Sequence, residues 1–261
     1  MKRLIVNADD FGFTHDVNQG ILEAHRRGIL TATTLMATGA AFDDAVELAK
    51  QNPSLDIGCH LVLVGPPPFP ASVPKLLQAL ALKRIRIYDE LARQVQRILD
   101  AGVAPTHLDT HKHTHLLPPV LDAVARISET FGIRWVRRPF DFPWQPGGIG
   151  WRKRAVSRSM GVVWNRFGSV LARHGCRSTD HFAGFQITGR YDATALIALI
   201  RALPEGSTEF MCHPGVCGGE LQAARTRLKA SREEELRALT APQVRKALES
   251  ADIDLVSYRD L

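Results

Sequence analysis

Two rhythms of apolar and polar positions take turns along this chain. Short apolar runs of the strand kind are RLIVNAD (3–9), ATTLMATG (32–39), DIGCHLVLV (56–64) and PTHLDTHK (105–112). Between them, apolar residues recur every three to four positions. HDVNQGILEAHRRG (15–28), with Gly28 as its stop, FDDAVELAKQ (42–51), YDELARQVQRILDAG (88–102) and LPPVLDAVARISETFG (117–132) therefore read as helices. GPPPFP (65–70) must be a loop, because proline supplies no backbone donor. The alternation continues with WVRRP (135–139), a helical pattern over 151–174, HFAGFQIT (181–188), ATALIALIRAL (193–203), STEFMCHP (207–214), SREEELRALTAPQVRKALES (231–250) and DIDLVSY (252–258). Strand-then-helix units predict a parallel sheet. Seven or eight of them predict an α/β fold of the distorted or incomplete TIM-like (β/α) barrel kind, with a doubly wound open sheet as the alternative. No internal repeat or low-complexity segment divides the chain, so residues 1–261 read as one domain.

In such barrels chemistry sits at the carboxyl ends of the strands. Asp9 and Asp10 end the first strand, His60 lies in the third, Asp109 to His115 close the fourth, Arg137 and Arg138 the fifth, and His213 the seventh. Each has an ordinary explanation. An acidic pair before a turn often caps a helix, yet Thr14 or Asp16 suits the helix at 15–28 better, which leaves Asp9 and Asp10 spare. His60 and His213 taken singly read as hydrogen-bonded core residues, and the arginines as surface charges. The stretch THLDTHKHTH (106–115) resists that treatment. On an extended strand His107, Asp109, His111, His113 and His115 would share one face. The helix at 117–132 ends the extension, so two or three of them reach the mouth. Several buried imidazoles without partners are costly, and a bound cation is the simple remedy.

Composition changes this picture little. The chain is 45% hydrophobic and 23% charged, ordinary for a protein with a large core. No apolar run reaches the ~18 residues of a membrane span, and MKRLIVNADD is too short in apolar residues for a signal peptide; the expectation is a cytoplasmic protein. Four cysteines without a CxxC pair read as reduced thiols. Charge matters more. From Trp151 to Arg177 there are seven basic residues and no acid. With Val156, Met160, Val163, Trp164, Phe167, Val170 and Leu171 on one stripe, the segment reads as an ordinary barrel helix with a solvated basic face. The alternative is a peripheral helix on an anionic membrane surface.

One carboxylate with two imidazoles at a strand-end mouth is the pattern of a catalytic metal site with open positions. Mixed ligands suit zinc, manganese or iron better than magnesium. Such an ion activates water and polarises a carbonyl. Asp9, beside a ligand, is placed to take the water's proton, His213 to protonate a leaving amine, and Arg138 to orient the base through paired hydrogen bonds. The set suits metal-assisted hydrolysis of an amide or ester. A phosphoesterase with two or three metals is the competing enzyme class. A sugar- or nucleic-acid-binding module would leave the acidic pair and the histidines without a role, so no nucleic-acid partner is expected.

VNADDFG (6–12), GCHLVL (58–63), THLDTHKHTH (106–115) and MCHPG (211–215), in this order across essentially the whole chain, resemble the YdjC-like carbohydrate deacetylases. The resemblance implies a distorted barrel that removes acetyl groups from N-acetylated sugars with one divalent metal ion, Zn2+ or Mg2+. It implies Asp10, His60 and His111 as the metal ligands, Asp9 as the base and His213 as the acid. His113 and His115 are left for substrate contact. The implied substrate is a chito-oligosaccharide or an N-acetylglucosaminyl hopanoid, so the sugar is either soluble or lipid-linked. A homodimer is one arrangement the resemblance leaves open.

Overall fold

The structure is a computed structural model that describes residues 1–144 and 164–261. The described residues form eight parallel strands, β1 (Lys2–Phe11), β2 (Ala32–Leu35), β3 (Asp56–Leu61), β4 (His107–Thr110), β5 (Trp135–Val136), β6 (His181–Ala183), β7 (Gly206–Cys212) and β8 (Ile253–Leu255). Seven lie in the order β5-β4-β3-β2-β1-β7-β6. The sheet curls until its ends meet: Trp135 bridges Arg177 and Asp141 bridges Phe182. Closure by isolated bridges, rather than a full ladder, is what distorts the barrel. β1 adds a second irregularity. β7 follows one edge of it from Lys2 to Ala8, so β8, paired to Lys2–Leu4, and β2, paired from Asn7 onward, share the other.

Strand alternation divides the residues between two environments. Leu4, Val6 and Ala8 of β1, Cys59 and Leu61 of β3, Leu108 of β4 and Val136 of β5 join the large apolar core under the helices. The alternate residues face the barrel interior. Its floor is a small apolar plug of Ile5, Ala32 and Tyr258, with Trp135, Val256 and Leu261 packed on it. Above the plug the interior is polar: Asn7, Asp9, Thr34, His60, His107, Asp109, Arg137 and Glu209 are all at most 4% exposed. A barrel filled only for stability would carry layers of branched apolar residues there.

Helix His15–Arg27 starts where Thr14 accepts a hydrogen bond from the Val17 amide at 3.2 Å. At Gly20 an added Cβ would stand 2.3 Å from the Gly215 Cα, so only glycine lets this helix close on the loop after β7. Three expectations need correction. The histidine strand extends only over His107–Thr110; a 3-10 turn, His111–Leu116, follows it, with Lys112 and His113 at positive φ. The pattern at 231–250 is two helices, Ala230–Thr240 and Pro242–Ser250, because Pro242 cannot continue the first and opens the second. A helix at Val73–Ala81, capped by Ser72, follows the proline loop where none was expected. Most of the helix expected at 151–174, and with it the suggested membrane face, lies outside the described residues; Trp164–Arg173 is helical, burying Phe167, Val170 and Leu171. Among the described residues no helix is long and apolar enough to cross a membrane.

Candidate active site

Asp9 and Asp10 are neighbours on one strand, so alternation should send them to opposite faces. Asp9 points inward with Asn7 and Ile5. Asp10 joins it because the β1–β2 register slips between Ala8 and Phe11, and Asp10 takes φ of 71°. A bulge that re-aims a side chain, held in the left-handed region, is a common device at functional sites. Gly12 follows, and its amide is anchored on the Asn18 side chain at 2.6 Å.

Three donor atoms from three strand ends converge there. Asp10 Oδ1 lies 3.4 Å from His60 Nε2 and 3.3 Å from His111 Nδ1, and the two ring nitrogens are 3.3 Å apart. A tetrahedral ion with bonds of about 2.0–2.1 Å holds its ligands about 3.3–3.4 Å apart, so the triangle has the size of one face of such a site. Asp10 Oδ1 is buried and makes no well-formed hydrogen bond; its neighbours are the two ring nitrogens, and a buried carboxylate oxygen so placed calls for a better partner. The residues thus fit a divalent cation. His111, 26% exposed, leaves the triangle open on the solvent side. In the ion-free protein burial opposes the charged form of His60, but Asp109 and Asp10 outweigh it and raise its pKa to about 10. Asp10 is held well below the usual carboxylate range: burial works against this, and Arg232, His111 and His60 overcome it.

Beneath the triangle lies a network centred on Arg137, 1% exposed. Its Nη1 and Nη2 donate to Asp9 Oδ2 and Oδ1 at 2.9 and 2.7 Å. Nη1 also reaches Asp109 Oδ2 at 2.7 Å, and Nε donates to Glu209 Oε1 at 2.7 Å. Asp109 Oδ1 in turn holds His60 Nδ1 at 2.7 Å, and Thr34 Oγ1 donates to its other oxygen at 3.1 Å. A carboxylate behind a ligating imidazole fixes its tautomer and orientation. Burial would raise the Asp9 pKa, but Arg137 outweighs it, and Asp9 stays ionised far below neutral pH. His213 Nε2 stands 3.7 Å from Asp9 Oδ2, and burial lowers its pKa, so its imidazole is neutral at pH 7.

The other expected residues separate. Arg137, not Arg138, makes the paired hydrogen bonds to Asp9. Arg138 turns outward, donates to the Asp180 carbonyl and lies 4.2 Å over the Trp164 ring. His115 is fully buried, with Nδ1 on Thr110 Oγ1 at 2.6 Å and Nε2 on the Arg137 carbonyl at 3.1 Å. Both nitrogens are satisfied, so it braces the arginine strand and is not presented at the barrel mouth. Burial, then Arg137, brings its pKa down to about 3. His107 stacks on Tyr258 at 4.0 Å in the floor. His113 packs near Phe182 and Phe185, 9% exposed, with a buried Nδ1 that has no partner. Sequence reasoning passed over Arg137's role, Glu209, Arg232 and Glu235. Alternation points to Glu209, which shares the inward parity of His213; Arg137 follows only once the pairing of β5 with β4 sets Val136 on the helix-covered face.

A family model described as YdjC-like protein matches residues 3–250. A carbohydrate deacetylase of Geobacillus stearothermophilus is 33% identical, the match covering 98% of this chain and 96% of that protein. A chitooligosaccharide deacetylase of Serratia marcescens is 32% identical over 100% of this chain and 99% of its own. Among solved structures, a protein of Enterococcus faecalis V583 described as a cellobiose-phosphate cleavage protein superimposes with a TM-score of 0.77 at 26% identity, covering 99% of this chain and 98% of that one. From the match over nearly its whole length, and from relatives above 30% identity, this chain belongs to the YdjC-like family.

Proposed function

We propose that this chain is a metal-dependent N-deacetylase that hydrolyses the acetamido group of an N-acetylhexosamine unit, releasing acetate and a free amine. The observation that carries this reading is the convergence of Asp10 Oδ1, buried and without a well-formed hydrogen bond, with His60 Nε2 and His111 Nδ1, beside a second carboxylate. The names of the relatives, carbohydrate deacetylase and chitooligosaccharide deacetylase, support the substrate class. A chito-oligosaccharide is the favoured substrate; a lipid-linked N-acetylglucosamine is the second. We read residues 1–261 as a single deacetylase domain.

Asp10, His60 and His111 would hold the divalent ion, which would supply Lewis-acid polarisation of the acetyl carbonyl and lower the pKa of a water toward about 7. Two imidazoles and the tetrahedral edge length favour zinc over magnesium, which prefers oxygen ligands. Asp9 takes the proton of the attacking water. Arg137 holds both Asp9 oxygens, which keeps the carboxylate ionised and aimed but weakens it as a base. His213, neutral and 3.7 Å away, offers the proton its onward path to the leaving amine. A phosphoesterase would need a second ion. In the second cluster, Asp9, His60 and Asp109, the two carboxylates already hold the Arg137 guanidinium, which favours one ion per chain.

The test is acetate release from diacetylchitobiose and from an N-acetylglucosaminyl lipid, with metal analysis of the same sample. One ion per chain and acetate from the oligosaccharide are expected. One bound ion with no acetate from either substrate would refute the reading. pH adds a separate prediction. His60 titrates near 10 in the ion-free protein, so binding must displace its proton. Zinc affinity is expected to fall as pH drops from 9 to 6, by up to about tenfold per unit, with one proton released per ion. Calorimetry in buffers of different ionisation enthalpy reads that proton; affinity flat across the range would contradict the placement of His60.

A further inference from the structure

Arg232 and Glu235 lie in a stretch, SREEELR, that reads as a solvated charge run, yet each is 1% exposed. They stand three residues apart on helix Ala230–Thr240 and so share a face. Arg232 Nη2 donates to Asp10 Oδ2 at 2.5 Å, while Nε returns to the Leu228 carbonyl at 3.3 Å. Glu235 accepts three donors: the Gly189 amide at 2.7 Å, the Tyr191 hydroxyl at 3.2 Å and the His213 amide at 2.6 Å. The same helix start also takes the Gly215 amide on the Arg232 carbonyl at 3.3 Å and the Cys217 amide on Glu233 Oε1 at 3.0 Å. Alternate amides of the loop after β7, those of residues 213, 215 and 217, are thus fastened to one helix turn.

We infer that this helix is the positioning element of the site: Arg232 decides which oxygen of Asp10 meets the ion, and Glu235 sets the backbone that carries His213. The inference rests on the metal-dependent reading above. A free carboxylate offers two equivalent oxygens and can chelate with both. With Oδ2 committed to Arg232, only Oδ1 is left, and it is the oxygen facing His60 and His111. Outer partners of this kind set metal affinity in other metalloproteins. Glu235 needs to be a carboxylate because its three partners all donate to it. A glutamine would turn its own N–H2 against one of them, leaving a buried donor unpaired.

The test measures zinc binding by chelator competition on ion-free protein shown to be folded by circular dichroism, together with kcat, KM and their pH profiles. Arg232→Met is expected to weaken zinc binding about 10- to 100-fold. Arg232→Lys is expected to recover most of the loss, since Asp10 uses a single donor and the positive charge. Glu235→Gln is expected to keep parental zinc affinity and KM, to lower kcat about tenfold or more, and to shift the pH profile of kcat. A folded Arg232→Met with parental zinc affinity overturns the Arg232 assignment. Should that variant not fold, Arg232→Gln carries the same comparison, with parental affinity again the overturning result. Parental kcat and pH profile in Glu235→Gln overturn the Glu235 assignment. A parent protein that takes up no zinc would overturn the metal reading and this inference with it. A parent that binds zinc no better than Arg232→Met would overturn the inference alone.

Discussion

Arg137→Met is expected to destabilise the protein by about 3–5 kcal/mol, a large part of the 5–15 kcal/mol typical of a domain. The size follows from what the guanidinium touches. Asp9, Asp109 and Glu209 all meet it, and all three carboxylates are almost fully buried. Methionine fills much of the volume but offers no donor. The three acids then lose the guanidinium they share, and only Asp109 keeps a cationic hydrogen-bond partner, His60, so protons must bind where Arg137 stood or the interior must admit water. Lysine is a poor substitute, since one ammonium cannot reproduce a fork that serves three acids at once. Denaturant unfolding of ion-free protein reads the loss directly, without any contribution from ligand binding. A loss below about 1 kcal/mol, the range of exposed ion pairs, would mean that the network is hydrated and the barrel interior is not the dry site described.

That network also shows what the amino-acid sequence disclosed and what it withheld. The strand-and-helix rhythm was enough for the barrel, because both periods are local and the β-strand ends follow from them. Asp9, Asp10 and the histidine stretch stood out because polar residues at strand ends have few structural uses. Which of two adjacent arginines faces inward was harder, since β5 is only two residues long and its parity comes from pairing with β4. Asp10 breaks the alternation rule through a bulge that no local pattern announces. His115 looked like its neighbours, but Lys112 and His113 reverse the chain at positive φ and drive it into the core instead of the mouth. Arg232 and Glu235 were invisible for a different reason. They reach the site from a helix some 220 residues after Asp10, a meeting made by the pairing of β1 with β7 and the loop that follows β7. Nothing in a charged helical run distinguishes a buried arginine from a solvated one.

Asp9→Asn is expected to keep the ion and lose most turnover, with kcat falling about 10²- to 10⁴-fold at saturating metal. The ligands Asp10, His60 and His111 do not include Asp9, and Asp109 still orients His60. Asparagine keeps one oxygen for Arg137 but sets its N–H2 against the other guanidinium donor, so a stability cost of about 1–3 kcal/mol accompanies the loss. What disappears is the acceptor for the water's proton. If the proton then moves on to His213, the two residues work as one unit, and removing both should cost little more than removing the more damaging one. The double substitution Asp9→Asn with His213→Ala therefore measures the link across the 3.7 Å gap. Strictly additive losses would separate their roles. Retained turnover in Asp9→Asn with a full complement of metal would move the base elsewhere, and the neutral imidazole of His213 is the group that would inherit the role.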